Sequence, residues 1–256
     1  MAASFPGVVV LEDAAAVARE GAVRFVALAR EAIKARGAFH VALSGGKTPA
    51  AMYRVLAADD VRSTVEWNRV QLYWSDERSV PPTHADSNFG MAERELIAKI
   101  KIPPANVHRM EAERSDADRA AQEYEAMLRK LLPAGPGGFP CCDLIYLGMG
   151  PDGHTASLFP GSVGLNEKTR GVIFQPVIIA DGTPAKRMTF TFPLLNAARA
   201  VIFLVTGADK TQKLREVLDG SHTPAYPSQG VRPAAGERIF LADRAAAAGL
   251  DAGARP

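Results

Sequence analysis

Apolar residues recur along the chain with two periods that take turns. Continuous apolar runs at Val8–Leu11, 144–147 and 201–205, with a further strand at Phe39–Leu43, are short enough for strands and stop abruptly at turns, as buried strands do. Residues 69–74 alternate through Val70, Leu72 and Trp74, and residues 187–192 through Met188, Phe190 and Phe192. Residues 172–179 form a further strand, which Pro176 places near a sheet edge, and residues 238–241 form the last one.

Between the strands the spacing turns helical. Residues 13–36 carry Val17, Ala18, Gly21, Ala22, Phe25, Ala29, Ala32 and Ile33 on one stripe and end at Gly37, the pattern of an amphipathic helix with a glycine stop. Thr48 is the expected N-cap of a helix reaching residue 57, with Pro49 in its first position. Asn88 opens a helix to residue 100. Ser115 with Asp118 has the spacing of a capping box, before a helix that buries Ala117, Ala120, Ala121, Tyr124, Met127, Leu128 and Leu131. Asp209 with Gln212 is expected to cap a helix to residue 218. Residues 133–140 are a Pro/Gly connector, residues 221–237 a Pro-rich lid or rim, and the tail after Gly249 frays. Strands alternating with helices predict one α/β domain over residues 1–256, with a mainly parallel sheet and helices on both faces.

Composition narrows the partners. With 256 residues, 47% hydrophobic and 23% charged, the chain has ample material for a core. The net charge is +2 with no basic run, which argues against nucleic acid. No apolar stretch reaches the roughly 18 residues of a membrane span. The N-terminus lacks the features of a signal peptide, so a cytoplasmic protein is expected. Cys141 and Cys142 are adjacent and supply neither a disulfide framework nor a metal spacing.

In a parallel sheet the carboxyl ends of the strands share one rim, where ligands bind. Four loops are predicted to meet there, at residues 44–48, 75–78, 148–154 and 206–210. Ser44-Gly45-Gly46-Lys47-Thr48-Pro49 feeds a helix N-terminus, which reads either as an anion site or as a tight turn. It is not a Walker A loop, because Val41 stands where that motif needs its first glycine. Ser75-Asp76-Glu77-Arg78 reads as a solvated loop or as part of a site. Gly148-Met149-Gly150-Pro151-Asp152-Gly153-His154 satisfies G-x-G-x-x-G, but Pro160-Gly161 breaks any helix after about two turns and no acid follows at the required place. Dinucleotide binding is therefore rejected. Lys210 falls in the first turn of a helix, an unfavourable place for a cation unless an anion is bound; otherwise it is a surface lysine. Together these loops hold an anion nest, an arginine, a lysine, two carboxylates and a histidine, which suits acid–base chemistry on a small phosphorylated substrate.

The segments LSGGKTP, SDERSVPPTHADSN, LGMGPDGHTASLFPG, RMTFTFPLLN and TGADK closely resemble the 6-phosphogluconolactonase family, over about residues 39–213. The resemblance implies a Rossmann-like α/β fold shared with glucosamine-6-phosphate deaminases, and hydrolysis of 6-phospho-D-glucono-1,5-lactone in the oxidative pentose phosphate pathway without a cofactor or metal. Deaminases place an acid just before the proline that closes the Asp-Gly-His motif, whereas this chain has Phe159 ahead of Pro160. Lys47 stands where the family favours a small or hydroxylic residue.

The roles that follow are expectations. His154 is the general base for water, since histidines titrate near neutrality, with Asp152 orienting it or stabilising its charged form. Arg78 serves the oxyanion or the phosphate, and Asp76 fixes Arg78 or a sugar hydroxyl. Ser44, Gly45, Gly46, Thr48, Gly150, Arg187 and Lys210 line the phosphate and substrate site, with Asn88 as a further contact. A monomer acting on a sugar-phosphate lactone is expected.

Overall fold

The structure, a computed structural model, describes residues 5–179, 181–220 and 225–250. Its strands are β1 (Val8–Leu11), β2 (Phe39–Leu43), β3 (Val70–Trp74), β4 (Asp76–Arg78), β5 (Leu144–Gly148), β6 (Val172–Ile178), β7 (Pro184–Phe190), β8 (Ala200–Val205) and β9 (Glu237–Asp243). The helices are α1 (Ala14–Arg36), α2 (Lys47–Ala57), α3 (Asp59–Arg62), α4 (Asn88–Glu95), α5 (Ala117–Leu131), α6 (Phe192–Leu195), α7 (Thr211–Asp219), α8 (Pro227–Gly230) and α9 (Arg244–Ala247).

Six strands form a parallel sheet in the order β1-β9-β8-β5-β2-β3. The chain turns to one side of β2 to make β3, then returns to the other side for β5, β8 and β9. That reversal between β2 and β5 is the topological switch point, where such sheets open a crevice at the strand carboxyl ends. All of β8 and Leu144–Leu147 of β5 are buried, so their apolar runs are continuous rather than alternating. The long helix α1 packs on α2, β8 and β9. It begins where Asp13 accepts a hydrogen bond from the Ala16 N–H at 2.7 Å and ends at Gly37, whose φ of 84° suits the left-handed cap.

Two features depart from the sequence pattern. Residues 75–78, expected as a loop, contain strand β4. Together with β7 and β6 it makes a separate antiparallel sheet in the order β4-β7-β6. Three charged residues carry no strand periodicity, so only pairing with β7 makes them a strand. The chain crosses between sheets at Ser75, which donates its N–H to Leu43 O and accepts from the Phe190 N–H. β6 lies at the edge, as Pro176 implied.

Several helix starts also differ. Gly46, not Thr48, precedes α2, and its φ of 109° takes the place of a side-chain cap. Ser87, rather than Asn88, caps α4 through the Gly90 N–H, and α4 ends at Glu95, with a 3₁₀ turn at Ile97–Lys99 completing the expected helix. Neither Ser115 nor Asp209 caps a helix, because Asp116 precedes α5 without a side-chain bond and a 3₁₀ turn at Ala208–Lys210 leads into α7. The described part of the 221–237 segment forms α8 and packs against the loop after β5 (Ser228 N–H to Gly153 O, 3.0 Å), so it buttresses that loop. Residues 221–224 and the tail from 251 onward lie outside the described residues.

Candidate active site

The carboxyl ends of β2, β5 and β8 open onto a cavity of about 420 Å³, walled by residues 44–49, Asp76, Arg78, Asn88, residues 148–150, His154 and Lys210. All four predicted loops therefore meet. A second lobe of about 490 Å³ adjoins it, lined by Arg187, Asp86, Asp181, Phe159 and others, and the two lobes share Asp76, Arg78, His154 and Ala156. Arg187 thus stands in the second lobe, apart from Thr48 and Lys210, with which it was expected to share the phosphate.

The loop after β5 is built to present one imidazole. His154 Nδ1 lies 2.5 Å from Asp152 Oδ1, and the same oxygen accepts the His154 backbone N–H at 3.2 Å. The Phe159 ring stacks on the imidazole, with centroids 4.1 Å apart and 24° between planes. Nε2 makes no hydrogen bond to a described residue, and the side chain is 24% exposed, on the cavity wall. Gly150 makes the pair possible: a Cβ there would overlap both His154 Nδ1 and Asp152 Oδ1. Its N–H meanwhile donates to His154 O at 2.9 Å. Burial acts to raise the Asp152 pKa, but the hydrogen bonds and charge of His154 outweigh it and hold the carboxyl below its ordinary range. Ala156, with φ of 47°, is, among the described residues, the non-glycine residue held in the left-handed region and lines both lobes, a position where backbone strain collects at functional sites.

Opposite His154, the β4 segment is pinned by a buried carboxylate the sequence analysis passed over. Glu77 accepts the N–H groups of Arg78, Asn88 and Phe89 at 2.8 Å each, and the Ser87 hydroxyl at 3.1 Å. Burial pushes its pKa up, partly offset by those backbone donors. Its sign in the sequence was slight, one acid between Asp76 and Arg78. Asp76 accepts from the Ser157 hydroxyl at 2.6 Å and from Asn88 Nδ2 at 3.3 Å, and so holds Ser157 and Asn88 rather than Arg78. Asn88 also fills the space beside Gly45, where a Cβ would collide with it.

Arg78 and Arg187 are direct partners across the antiparallel β4–β7 ladder. Like charges placed opposite one another are unfavourable. Arg187 is shifted below the ordinary arginine pKa by burial and then by the charge of Arg78. Arg78 donates to Asp86 O at 2.7 Å, while its Nε, like the Ser44 hydroxyl, is buried with no partner among the described residues. A buried unpaired donor costs about 1–3 kcal/mol, which a bound anion would recover.

The remaining wall carries two similar turns. Gly46 (φ 109°, ψ 169°) and Gly207 (φ 100°, ψ 147°) each stand just before a helical turn. Their loops are joined by Thr48 and Thr206, whose hydroxyls lie 2.7 Å apart. Tyr53 latches the first loop by accepting the Ser44 N–H at 3.2 Å and donating to Ser44 O at 2.8 Å. Asp243 accepts the Gly207 N–H at 3.0 Å and fixes the second. Lys210 pairs with Asp209 at 2.8 Å and faces the cavity, whereas Lys47 is exposed on its lip. Among the described residues no three His, Cys, Asp or Glu side chains are grouped to hold a metal ion, and no helix is long and apolar enough to cross a membrane.

Comparison with known proteins agrees with this geometry. Residues 12–240 match the model of the glucosamine-6-phosphate isomerases/6-phosphogluconolactonase family. A 6-phosphogluconolactonase of Nostoc sp. is 41% identical over 86% of this chain and 88% of its own length. A chloroplastic 6-phosphogluconolactonase of Arabidopsis thaliana is 37% identical over 85% of this chain and 67% of its own. The solved 6-phosphogluconolactonase of Trypanosoma brucei superposes with a TM-score of 0.86 at 29% identity, covering 96% of this chain and 100% of that one. A monomeric glucosamine-6-phosphate deaminase, 18% identical with a TM-score of 0.77, shares the fold. With the family model spanning most of its length and relatives this similar, the chain belongs to the glucosamine-6-phosphate isomerase/6-phosphogluconolactonase family.

Proposed function

We propose that this chain hydrolyses 6-phospho-D-glucono-1,5-lactone to 6-phospho-D-gluconate, the lactone step of the oxidative pentose phosphate pathway in the cytoplasm, with His154 as general base. The observation that carries the reading is the Asp152–His154 pair at the junction of the two lobes, with an aromatic ring rather than an acid stacked on the base. The names of its relatives support the same activity.

In this reading water lies between Nε2 and the lactone C1. Nε2 takes a proton from the water as its oxygen bonds to C1, and Asp152 steadies the imidazolium through Nδ1–H. The C1–ring oxygen bond then breaks, and the imidazolium returns the proton to the departing ring oxygen. The new carboxyl group releases its own proton to solvent. A positioned base of this kind contributes roughly 10²–10⁴-fold. Arg78, on the wall shared by both lobes, faces the negative charge that develops on the C1 carbonyl oxygen, with Arg187 reinforcing the positive field behind it. Ser44, Gly45, Gly46, Thr48 and Lys210 hold the phosphate at the helix amino ends, and Gly150 lines the substrate site beside His154. Asp76 and Asn88 keep the wall opposite His154 in shape.

The test is the rate at which freshly generated phosphogluconolactone disappears, corrected for spontaneous hydrolysis, alongside ammonia release from glucosamine 6-phosphate. Fast lactone loss without ammonia is expected. Ammonia release would instead establish the deaminase activity, and tight 6-phosphogluconate binding without turnover would mark a sensor.

A further inference from the structure

We propose that Tyr226 is a positioning residue that ties helix α7 to the backbone of the His154 loop, so that seating the substrate's phosphate at the amino end of α7 raises turnover. The proposal rests on the reading above that the phosphate sits beside Lys210.

The tie runs behind the cavity through contacts the proposed chemistry does not use. Lys210 faces the cavity just before α7. One turn further along, Lys213 and Glu216 pair with each other at 3.0 Å, and both engage the Tyr226 hydroxyl, which donates to Glu216 at 2.9 Å. The Lys213 ammonium also stands 4.2 Å from the centre of the Tyr226 ring. That ring fills the space beside Gly153: a Cβ there would meet Tyr226 Cγ and Cδ1 at 2.7 Å. Ser228, two residues on, donates its N–H to Gly153 O at 3.0 Å, and its hydroxyl reaches Gly153 O at 2.9 Å and His154 O at 3.3 Å. Gln229 closes the bracket, accepting the Tyr226 N–H at 2.5 Å and donating to Glu216 O at 3.3 Å.

One end of this strut is therefore fixed to the helix that begins at the anion-facing lysine, and the other to the two residues that set the height of the imidazole. Tyr226, Ser228 and Gln229 are buried, whereas Lys213 and Glu216 at the α7 end are partly exposed. Binding energy from a remote, non-reacting phosphate raises kcat only if it is spent on ordering the reacting groups, and the strut supplies a physical route for that coupling.

The test uses the chain of 256 residues and the Tyr226→Phe variant, which keeps the ring against Gly153 and removes the hydroxyl contacts with Lys213 and Glu216 of α7. Unphosphorylated glucono-1,5-lactone is turned over with and without inorganic phosphite, and the phosphorylated lactone is assayed in parallel. In the wild type, phosphite is expected to raise kcat on the unphosphorylated lactone at least tenfold. In Tyr226→Phe that stimulation should drop below twofold. For the phosphorylated lactone its kcat should fall at least tenfold, with KM within threefold of wild type. Ser228→Ala, with unchanged circular dichroism, should move the same way. Wild-type stimulation retained in Tyr226→Phe, no stimulation in the wild type, or a rise in KM alone would each overturn the coupling while leaving the lactonase reading intact. A wild type that leaves the phosphorylated lactone at background would remove both.

Discussion

His154 is held on three sides, by Asp152 at Nδ1, by the Phe159 ring on its face and by the Gly150 and Ser228 bonds to its carbonyl, which leaves Nε2 for the cavity. Two residue-scale predictions follow from that restraint. Gly150→Ala places a methyl group where the two side chains meet, so kcat should fall at least a hundredfold while circular dichroism stays unchanged. For Asp152 the sign of the pH effect is fixed by its depressed folded pKa. The hydrogen bonds that His154 gives the carboxylate stabilise the fold above the unfolded value of 3.8, and that contribution is lost as pH falls through the lower folded value. Urea unfolding of wild type and Asp152→Asn should differ at pH 6, and the gap should shrink in more acidic buffer. The D-G-H triplet was readable at this scale because a short motif at a strand end carries its own chemistry. Glu77 was not, since its importance comes from three backbone donors at residues 78, 88 and 89 that only the folded loop brings together.

Among the elements, the parallel strands could be read from sequence almost residue for residue, since β1 and β2 stand at the predicted residues and β3, β5, β8 and β9 begin or end within two positions of them. Continuous burial leaves the unbroken apolar runs of β5 and β8. In the small sheet, β6 and the second half of β7 fall on predicted strands, but β4 was hidden for the opposite reason. That strand is Asp-Glu-Arg, and the pairing of Arg78 with Arg187 is a tertiary fact. Helix starts were misread wherever a glycine with positive φ or a 3₁₀ turn replaced a side-chain cap, as at Gly46 and Lys210. The Ser44 loop gives the test at this scale. Its backbone is latched at both N–H and C=O by one buried hydroxyl, that of Tyr53. Tyr53→Phe should loosen the phosphate loop, raising KM for the phosphorylated lactone severalfold with a smaller change in kcat, and should cost stability by about 1–3 kcal/mol in urea unfolding.

Across the whole molecule, a nearly neutral chain gathers four cations and four carboxylates, Asp76, Asp86, Asp181 and Asp209, around the two lobes. Lys47, Arg78 and Lys210 line one lobe, and Arg187 stands directly across from Arg78 in the other. Convergence of the four loops could be foreseen from topology alone, because parallel strands must share a carboxyl rim. The division of that rim into two lobes could not, because it depends on where β4 leaves the main sheet. Lysine and arginine side chains that bind a phosphorylated substrate should make its capture salt-dependent: KM should rise with ionic strength while the unfolding midpoint stays nearly constant. The most direct test of the central claim is the steady-state rate on fresh 6-phosphogluconolactone near neutral pH, background-corrected, for wild type and His154→Ala. The account predicts rapid wild-type turnover and a loss of at least a hundredfold in kcat for the variant; a variant as fast as wild type would contradict it.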